Sequence, residues 1–476
     1  MTDHYRAATP YRAVRRSRGR SSSWANPSWR LGVSGGLLAV AIMFGGGGSP
    51  SPMTELIVEL AALVAIIAWV WLAAKDRRYS VAEIDRPLYI MAALFVAIPV
   101  LQLIPLPPAI WHNLPGREIE VQALALVGRS SSWMPLSESP PRTIASALSL
   151  IPPVAMLFMV SRLGERDRLR LIGLLAALGL LAAVVGVFQL ASGSASWFRF
   201  YAITNYGFAV GFQANHNADA DVLLMAAMGL VAWAMGNGGI GKSRQFMIVI
   251  AALLVFLTLS IVLTGSRTGV ALIVVAMVTS VAMVIRWTVI RNWRQVAAVA
   301  LSVAAVSASL YLLSNNAQVQ RTLDRFDKGD AVRPEIWKDT VYAVGQHWPA
   351  GSGIGTFQPI FVAAERLEFV RSDFSNRAHN DYLEFLLEAG IIAPMILFMI
   401  SVFFVLRVRC MLIFKENGKQ RIIGILVFGS FLVILLHSLV DYPERSLSLA
   451  VVTGMLAGLL GRCGFSRRVG SEGVAE

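Results

Sequence analysis

Runs of about 20 mostly apolar residues recur along nearly the whole chain, a length that lets a helix cross the ~30 Å hydrocarbon core of a bilayer. No other feature restricts the fold as strongly. The runs lack the alternation of apolar and polar residues that strands of a membrane barrel show. Hydrophobic residues make up 56% of the sequence and charged residues 15%, far from a soluble average. The sequence therefore predicts an all-α, polytopic helical membrane protein.

The apolar runs predict about 12 transmembrane helices. The first run is the weakest, because Gly45 to Gly48 interrupt its end. The predicted spans are 31–48, 53–74, 87–106, 143–160, 168–190, 216–235, 245–264, 268–286, 294–313, 383–406, 422–441 and 446–461.

The distribution of Lys and Arg predicts that both termini are cytoplasmic, because cytoplasmic loops carry an excess of these residues. With the N-terminus inside, 28 of the 42 Lys and Arg residues fall in inner segments, against six in the short outer loops. The predicted order is a basic cytoplasmic tail at 1–30, nine spans within 31–313, a long periplasmic loop at 314–382, three spans within 383–461, and a cytoplasmic tail at 462–476.

Composition and spacing argue against several functional classes. The net charge of +13 reflects the basic tail, for which a cytoplasmic segment beside anionic lipid is a simpler explanation than a nucleic-acid arm. Cys410 and Cys463 both fall on the predicted cytoplasmic side, so no disulfide is expected on the outer face. The six histidines lack metal-ligand spacing, and no Walker loop is present. We expect no metal, no cofactor and no nucleic-acid partner.

Four polar segments interrupt the apolar sequence, and the predicted topology places all four on the outer face. Ionisable groups at a membrane are costly and usually functional, so the four segments are expected to form one site. The densest stretch runs from Arg377 to Glu384, directly before a long apolar run. The segments are 211–221, 264–269, the polar stretches of the loop between 333 and 384, and 437–445.

Several of these polar residues also have a structural interpretation. Arg267 could lie at the C-terminal end of a helix, where a cation is favoured, and reach lipid headgroups. Arg333 could be a surface charge before a helix that Pro334 begins. The spacing of Gly351, Gly353 and Gly355 resembles a phosphate-binding loop but is more typical of turns.

The acidic and imidazole side chains have similar alternatives. His379 could hydrogen-bond the following helix, with Asn380 or Asp381 as its N-cap. Glu384 and Glu388 share a helix face at i,i+4, as do His437 and Asp441, and either pair could be structural.

The polar segments, taken in order along the chain, resemble the bacterial O-antigen ligase/polymerase family. This family consists of lipid-linked glycan transferases and includes O-antigen ligases and Wzy-type polymerases. The resemblance covers roughly residues 95–460. It rests on Gln102–Pro108, Asn215–Asn217, Gly265–Arg267, Arg333 with Trp337, Pro349–Phe357, and His379 through Gly390.

The resemblance implies a fold of the membrane glycosyltransferase (GT-C-like) type and a metal-independent glycosyltransferase in the bacterial inner membrane, with a periplasmic site. The implied donor is an undecaprenyl-diphosphate-linked glycan, and the acceptor is a glycan or lipid A core sugar. Arginines can bind a diphosphate bidentately, which suits Arg267 and Arg333, and His379 suits a general base. The candidate substrate-binding residues are Asn215, His216, Asn380, Tyr382, Glu384, Asp441 and Arg445.

The identity of the acceptor stays open at this point. A ligase transfers to a lipid A core sugar, whereas an O-antigen or exopolysaccharide polymerase transfers to another lipid-linked repeat. The His379 segment and the single long late loop favour the ligase. A flippase of lipid-linked glycan is disfavoured, because transporters place polar groups at the midplane and show repeated halves. Glu55 and Glu59 in the second span have no assigned role.

The predicted topology can be tested with fusions to alkaline phosphatase, which is active only in an oxidising compartment where its disulfides form. A fusion after Gln358 should be active and a fusion after Asn417 inactive. The opposite pattern would invert the orientation and separate the polar segments from the periplasm.

Overall fold

The computed structural model describes residues 28–47, 52–76, 85–193, 197–238, 243–285, 332–370, 375–413 and 418–461. The predicted ninth span, 294–313, and most of both tails lie outside these residues. Eight of the described helical segments are long and apolar enough to cross a membrane, one of which, Pro140–Ser161, joins two consecutive helices. Three shorter apolar helices accompany them. The all-α polytopic class is therefore confirmed, whereas the count of twelve spans stays a prediction.

The helices are numbered here in chain order. The helices are α1 (Trp29–Phe44), α2 (Pro52–Lys75), α3 (Arg86–Gln102), α4 (Pro108–Trp111), α5 (Glu118–Leu126), α6 (Pro140–Ser149), α7 (Ile151–Ser161), α8 (Glu165–Ala191), α9 (His216–Gly236), α10 (Arg244–Leu263), α11 (Arg267–Val284), α12 (Arg333–His347), α13 (Phe357–Ala364), α14 (Asp381–Ala389), α15 (Ile392–Ile413), α16 (Gly418–His437) and α17 (Leu447–Leu459). Two 3₁₀ turns cover Leu367–Phe369 and Pro443–Arg445.

The helix α9 lies at the centre of the bundle. It packs against α8, α10, α11 and α16, and nearly all of its residues are buried. A helix that is apolar on every side is suited to such a central position. Its first two turns are different, because Asp219 and Asp221 are fully buried there. The polar end of α9 therefore faces other protein elements, not lipid.

The predicted span 383–406 begins later in the structure than the sequence suggests. The chain forms the short helix α14, turns at Gly390 and continues as α15 from Ile392. Gly390 has φ +55°, and a Cβ there would collide with the carbonyl oxygen of Pro349. Apolar residues run through this turn, so composition alone does not reveal the break. The spanning helix is α15, and α14 belongs to the polar end.

The elements α12, α13 and α14 form a small core of their own beside the bundle. Ile336, Phe357, Phe361 and Leu387 are buried there together with Ala378. The residue that follows Ala378 is His379, so this core fixes the chain immediately before the candidate base.

An early loop packs onto the same region. The strands β1 (Pro105–Leu106) and β2 (Met134–Pro135) form an antiparallel pair that closes this loop. Gln102, at the end of α3, accepts a hydrogen bond from Ile354 N at 2.8 Å and donates to the carbonyl of Glu388 at 2.9 Å. The buried Gln102 amide thus joins the early loop, the glycine-containing turn and α14.

The three glycines of that turn are packing residues. Gly351, Gly353 and Gly355 all have positive φ. A Cβ at Gly353 would collide with Ser137, and one at Gly355 would collide with Ser146. Protein atoms therefore occupy the space beside these glycines, which favours the turn interpretation over a phosphate cradle.

Candidate functional site

The backbone of His379 is held in an uncommon conformation. Its φ is +50°, and among the described residues it is the one non-glycine residue with positive φ. Such a conformation persists where neighbouring contacts impose it, and it is frequent at functional sites. On one side, Ala378 N donates to Glu384 at 3.1 Å and Ala378 O accepts from Trp337 Nε1 at 3.0 Å. On the other, the Asn380 side chain caps α14.

The ring of His379 contacts the turn between α16 and α17. Its Nδ1 lies 3.0 Å from Oδ1 of Asp441, and its ring meets the edge of Tyr442 at 4.9 Å between centroids. The His379 side chain is 27% exposed, whereas that of Asp441 is 3% exposed. The imidazole is therefore reachable from outside, and the carboxylate that holds it is not.

The electrostatic environment keeps Asp441 ionised. Burial alone would raise its pKa, but the hydrogen bond and charge of His379, together with the charges of His437 and Arg333, lower the pKa well below the usual range. An ionised carboxylate only accepts hydrogen bonds. Nδ1 of His379 must then carry the proton, which leaves Nε2 of the neutral ring as the acceptor. Arg333, at the start of α12, is close enough to contribute to this environment.

The start of α9 completes the enclosure of Asp441. Asn217 donates its side-chain amide to Oδ2 of Asp441, and the Asn215 side chain caps α9 by accepting from Asn217 N at 2.8 Å. Asn215 and Asn376 also hydrogen-bond to Tyr442, whose pKa is raised by its burial. The segment 215–217 thus fixes both members of the turn that contact His379.

A second imidazole–carboxylate pair lies one helical turn deeper. Nδ1 of His437, the last residue of α16, is 2.7 Å from Oδ1 of Asp221 on α9, and both side chains are 1% exposed. Asp221, His437, Asn217 and Asp441 line a common cavity of about 10 Å³. The two pairs are therefore adjacent parts of one buried polar assembly.

A cluster of charged residues, here called the Arg445 cluster, ties α14 to the same turn. It consists of Arg377, Asp381, Glu384, Glu388 and Arg445. Arg445 contacts Glu384 at 3.3 Å and Glu388 at 2.9 Å. Burial would lower the pKa of Arg445, but the three surrounding carboxyls raise it.

The carboxyls of the Arg445 cluster respond differently to the same burial. Burial raises the pKa of Glu384, but the charges of Arg445 and Arg377 outweigh this effect and leave the pKa lowered. Burial raises the pKa of Glu388, and it raises that of Asp381 to about 7 despite the Arg445 charge. The cluster therefore contains one firmly ionised carboxylate, Glu384, between two carboxyls that hold protons more readily.

Three of the predicted substrate-binding residues make contacts within the protein that favour a structural role. Asn380 caps α14 and donates to Leu439 O at 3.0 Å. Tyr382 donates its hydroxyl to Leu435 O at 2.9 Å. Glu384 is fully buried against Arg377 and Arg445. The cap interpretation of Asn380 is the one that the structure supports.

The remaining predicted residues lie close to the site but at its edge or behind it. His216 is 6% exposed and stacks on Phe208 at 5.1 Å between centroids. Arg445 faces the carboxyls of its cluster, and Asp441 lies behind His379. This position gives Asp441 the role of orienting an imidazole, where the sequence suggested contact with substrate.

Arg267 is the first residue of α11, after Ser266 as N-cap. It therefore lies at a helix N-terminus, not at the helix end that its structural interpretation assumed. A Cβ at Gly265 would collide with Phe208, and one at Gly269 would collide with Ala220 of α9. These close approaches place the start of α11 beside the first turn of α9, so the two polar segments meet as predicted.

The site includes residues that sequence reasoning did not select, namely Asn217, Asp221, His437 and Tyr442. The i,i+4 spacing of His437 and Asp441 was a usable signal, as was the spacing of Asn217 and Asp221. Neither spacing identifies the cross-helix partner, because that depends on how α9 and α16 pack. Within the described ranges, no group of three or more His, Cys, Asp or Glu residues could hold a metal ion.

Comparison with known families supports the resemblance. Residues 252–399 match the family described as O-antigen ligase. The matched segment contains Arg267, Arg333 and His379, whereas Asn215 and Asp441 lie outside it. A search of curated proteins found no match. The family match supports a glycosyltransferase-like membrane enzyme of ligase or polymerase type, which uses a lipid-linked glycan and an acceptor.

Proposed function

We propose that this protein transfers a glycan from undecaprenyl diphosphate to a sugar hydroxyl at the periplasmic face of the bacterial inner membrane, as an O-antigen ligase of lipopolysaccharide biosynthesis. The observation that carries this proposal is the partly exposed His379 ring, held through Nδ1 by the buried Asp441 with Arg333 nearby. An oriented neutral imidazole beside a guanidinium suits the transfer of a glycan from a diphosphate.

In the proposed reaction, the acceptor hydroxyl oxygen attacks the anomeric carbon of the donor. The bond from that carbon to the diphosphate oxygen breaks, and its electron pair leaves with the diphosphate. The hydroxyl proton passes to Nε2 of His379, and Asp441 stabilises the imidazolium that forms. Attack opposite the leaving group inverts the anomeric centre.

The leaving diphosphate gains negative charge as the bond breaks. Arg333 and Arg267 are proposed to bind it, because guanidinium groups offer paired donors that match phosphate oxygens. This assignment makes the reaction independent of a metal. Asn215, His216, Asn380, Tyr382 and Arg445 would shape the surrounding surface, where most of them already hold the turns that carry the base.

The location of the polar residues favours transfer over transport. Asp221, His437, Asp441 and His379 meet where the start of α9 and the end of α16 come together, which is one end of the bundle. A flippase is expected to bind its substrate nearer the midplane. The polymerase alternative uses the same chemistry and differs in its acceptor.

Deletion of the gene should separate the ligase from the polymerase. A ligase-deficient strain should accumulate long polyprenyl-linked chains and display lipopolysaccharide with a bare core, as seen on gels and by mass spectrometry of the lipid fraction. Lipopolysaccharide capped with a single repeat would instead identify a polymerase of O-antigen. Loss of exopolysaccharide with normal lipopolysaccharide would identify an exopolysaccharide polymerase.

His379→Gln should reduce transfer by about 10²- to 10⁴-fold, the usual contribution of a general base. Glutamine can still hydrogen-bond to Asp441 but cannot accept the hydroxyl proton. In the wild type, transfer should fall as pH drops, because the imidazolium has no free lone pair. The rate is measured with membrane vesicles of the deletion strain as the source of donor and acceptor. Near-normal transfer by this variant would remove the base role.

Arg333→Lys and Arg267→Lys should each lower transfer by about tenfold or more, because a point charge cannot supply two parallel donors to a phosphate. Arg366→Lys is a matched control, since Arg366 pairs with Glu335 and Asp339 on α12. All three variants are compared in the vesicle assay at equal membrane levels. Full activity of both lysine variants would mean that charge alone is needed, against the proposed bidentate binding.

A further inference from the structure

Two polar contacts connect α9 to the end of α16 and to the turn that follows. Asn217 bonds to Asp441, and Asp221 bonds to His437 at 2.7 Å. Asn217 and Asp221 are four apart in sequence and so lie on one face of α9. His437 and Asp441 have the same spacing, with His437 at the end of α16 and Asp441 in the turn that follows. The backbone also links the two contacts, because Asp441 N donates to the carbonyl of His437 at 2.9 Å.

We propose that the buried His437–Asp221 pair positions Asp441 and thereby orients and tunes His379 for glycan transfer. This inference rests on the proposed function, in which His379 is the base. His437 and Asp221 are positioning residues, since at 1% exposure neither side chain can touch a glycan.

The burial of this pair is the first argument for the role. Removing an imidazole and a carboxyl from water costs several kcal/mol per ion when charged, and an apolar pair would often be at least as stable. Nε2 of His437 and Oδ2 of Asp221 have no hydrogen-bond partner among the described residues. A pair so incompletely satisfied is a poor device for stability alone, which favours a functional explanation.

The position of the pair is the second argument. His437 is the last residue before the turn that contains Asp441. A contact that fixes the His437 side chain therefore also fixes the start of that turn. Asp221 fixes the His437 ring from the same helix that supplies Asn217. Asp441 is therefore held from α9 through both polar contacts. His379 in turn depends on Asp441 for the placement of Nδ1.

Charge is the third argument. The charged and titratable groups that face this assembly are Asp221 from α9, His437 from α16, His379 from the segment before α14, and Arg333 from α12. Asp441 lies in the turn after α16 together with Tyr442 and Glu444. The charge of His437 is one of the causes that lower the pKa of Asp441. Its removal would make protonation of Asp441 easier. A protonated Asp441 no longer holds Nδ1 of His379 as firmly, so the acid side of the pH–rate profile should move to higher pH.

The double variant Asp221→Asn/His437→Gln is the main test, because it replaces the pair with neutral groups that can still hydrogen-bond and leaves no unpaired buried charge. In the vesicle assay, the maximal rate should fall about tenfold, part of the 10²–10⁴ that a general base supplies. The concentration of vesicles, which carry donor and acceptor, that gives half the maximal rate should change little. The acid limb of the profile should shift upward, while the melting temperature in detergent stays near that of the wild type.

Ser430→Ala is the matched control, since Ser430 is a fully buried polar residue of the same helix, α16. It should leave rate and profile unchanged. A double variant with the wild-type rate and profile would overturn the positioning role, as would an equal loss of rate in both variants. If the double variant is unstable, the single His437→Gln variant, which also removes the His437 charge, is measured in its place and must show the same loss and shift.

His379→Gln in the same assay separates the two proposals. An inactive His379→Gln beside a fully active double variant defeats the positioning role alone. An active His379→Gln defeats the base assignment on which that role depends.

Discussion

The guanidinium of Arg445 is the point on which the polar end of the molecule depends. It lies between Glu384 and Glu388 on α14 and joins that short helix to the turn after α16. A buried ion cluster adds little net stability compared with apolar packing, but removal of one partner leaves uncompensated charge at a cost of about 3–5 kcal/mol. Arg445 therefore specifies one arrangement of these segments.

The position of His379 follows from this cluster through short covalent and hydrogen-bonded steps. Glu384 forms an ion pair with Arg445 and accepts a hydrogen bond from Ala378 N, so the residue before His379 is tied to the cluster. Asp381, two residues after His379, is bonded through its backbone to Ser438 O at 3.0 Å, in the turn that carries Asp441. The positive φ of His379 is the conformation that satisfies both ties at once.

Apolar run length predicted the fold class because a bilayer imposes a length on every span, whatever the partners of that span are. The same signal misplaced the span at 383–406, since Gly390 turns the chain without making it less apolar. The predicted topology also placed the polar segments 211–221, 264–269, 333–384 and 437–445 on one face, where they were expected to form one site. The roles of individual residues were harder to predict from the sequence. Glu384 and Tyr382 form contacts within the protein, and the Asp221–His437 pair depends on the packing of α9 against α16, which the sequence does not reveal.

The central helix shows why a membrane enzyme can keep ionisable groups at such depth. Asp219 lies in the first turn of α9, where the helix dipole favours negative charge. Asp221 follows in the next turn, and neighbouring helices shield both carboxyls from lipid. The same turn supplies Asn217 to Asp441. Placing these groups on the most buried helix costs desolvation energy, but it also gives Asp441 a support that motion of the exposed loops does not reach. In the proposed reaction, a base that meets a glycan chain benefits from such a rigid support, because only the substrate then has to be oriented.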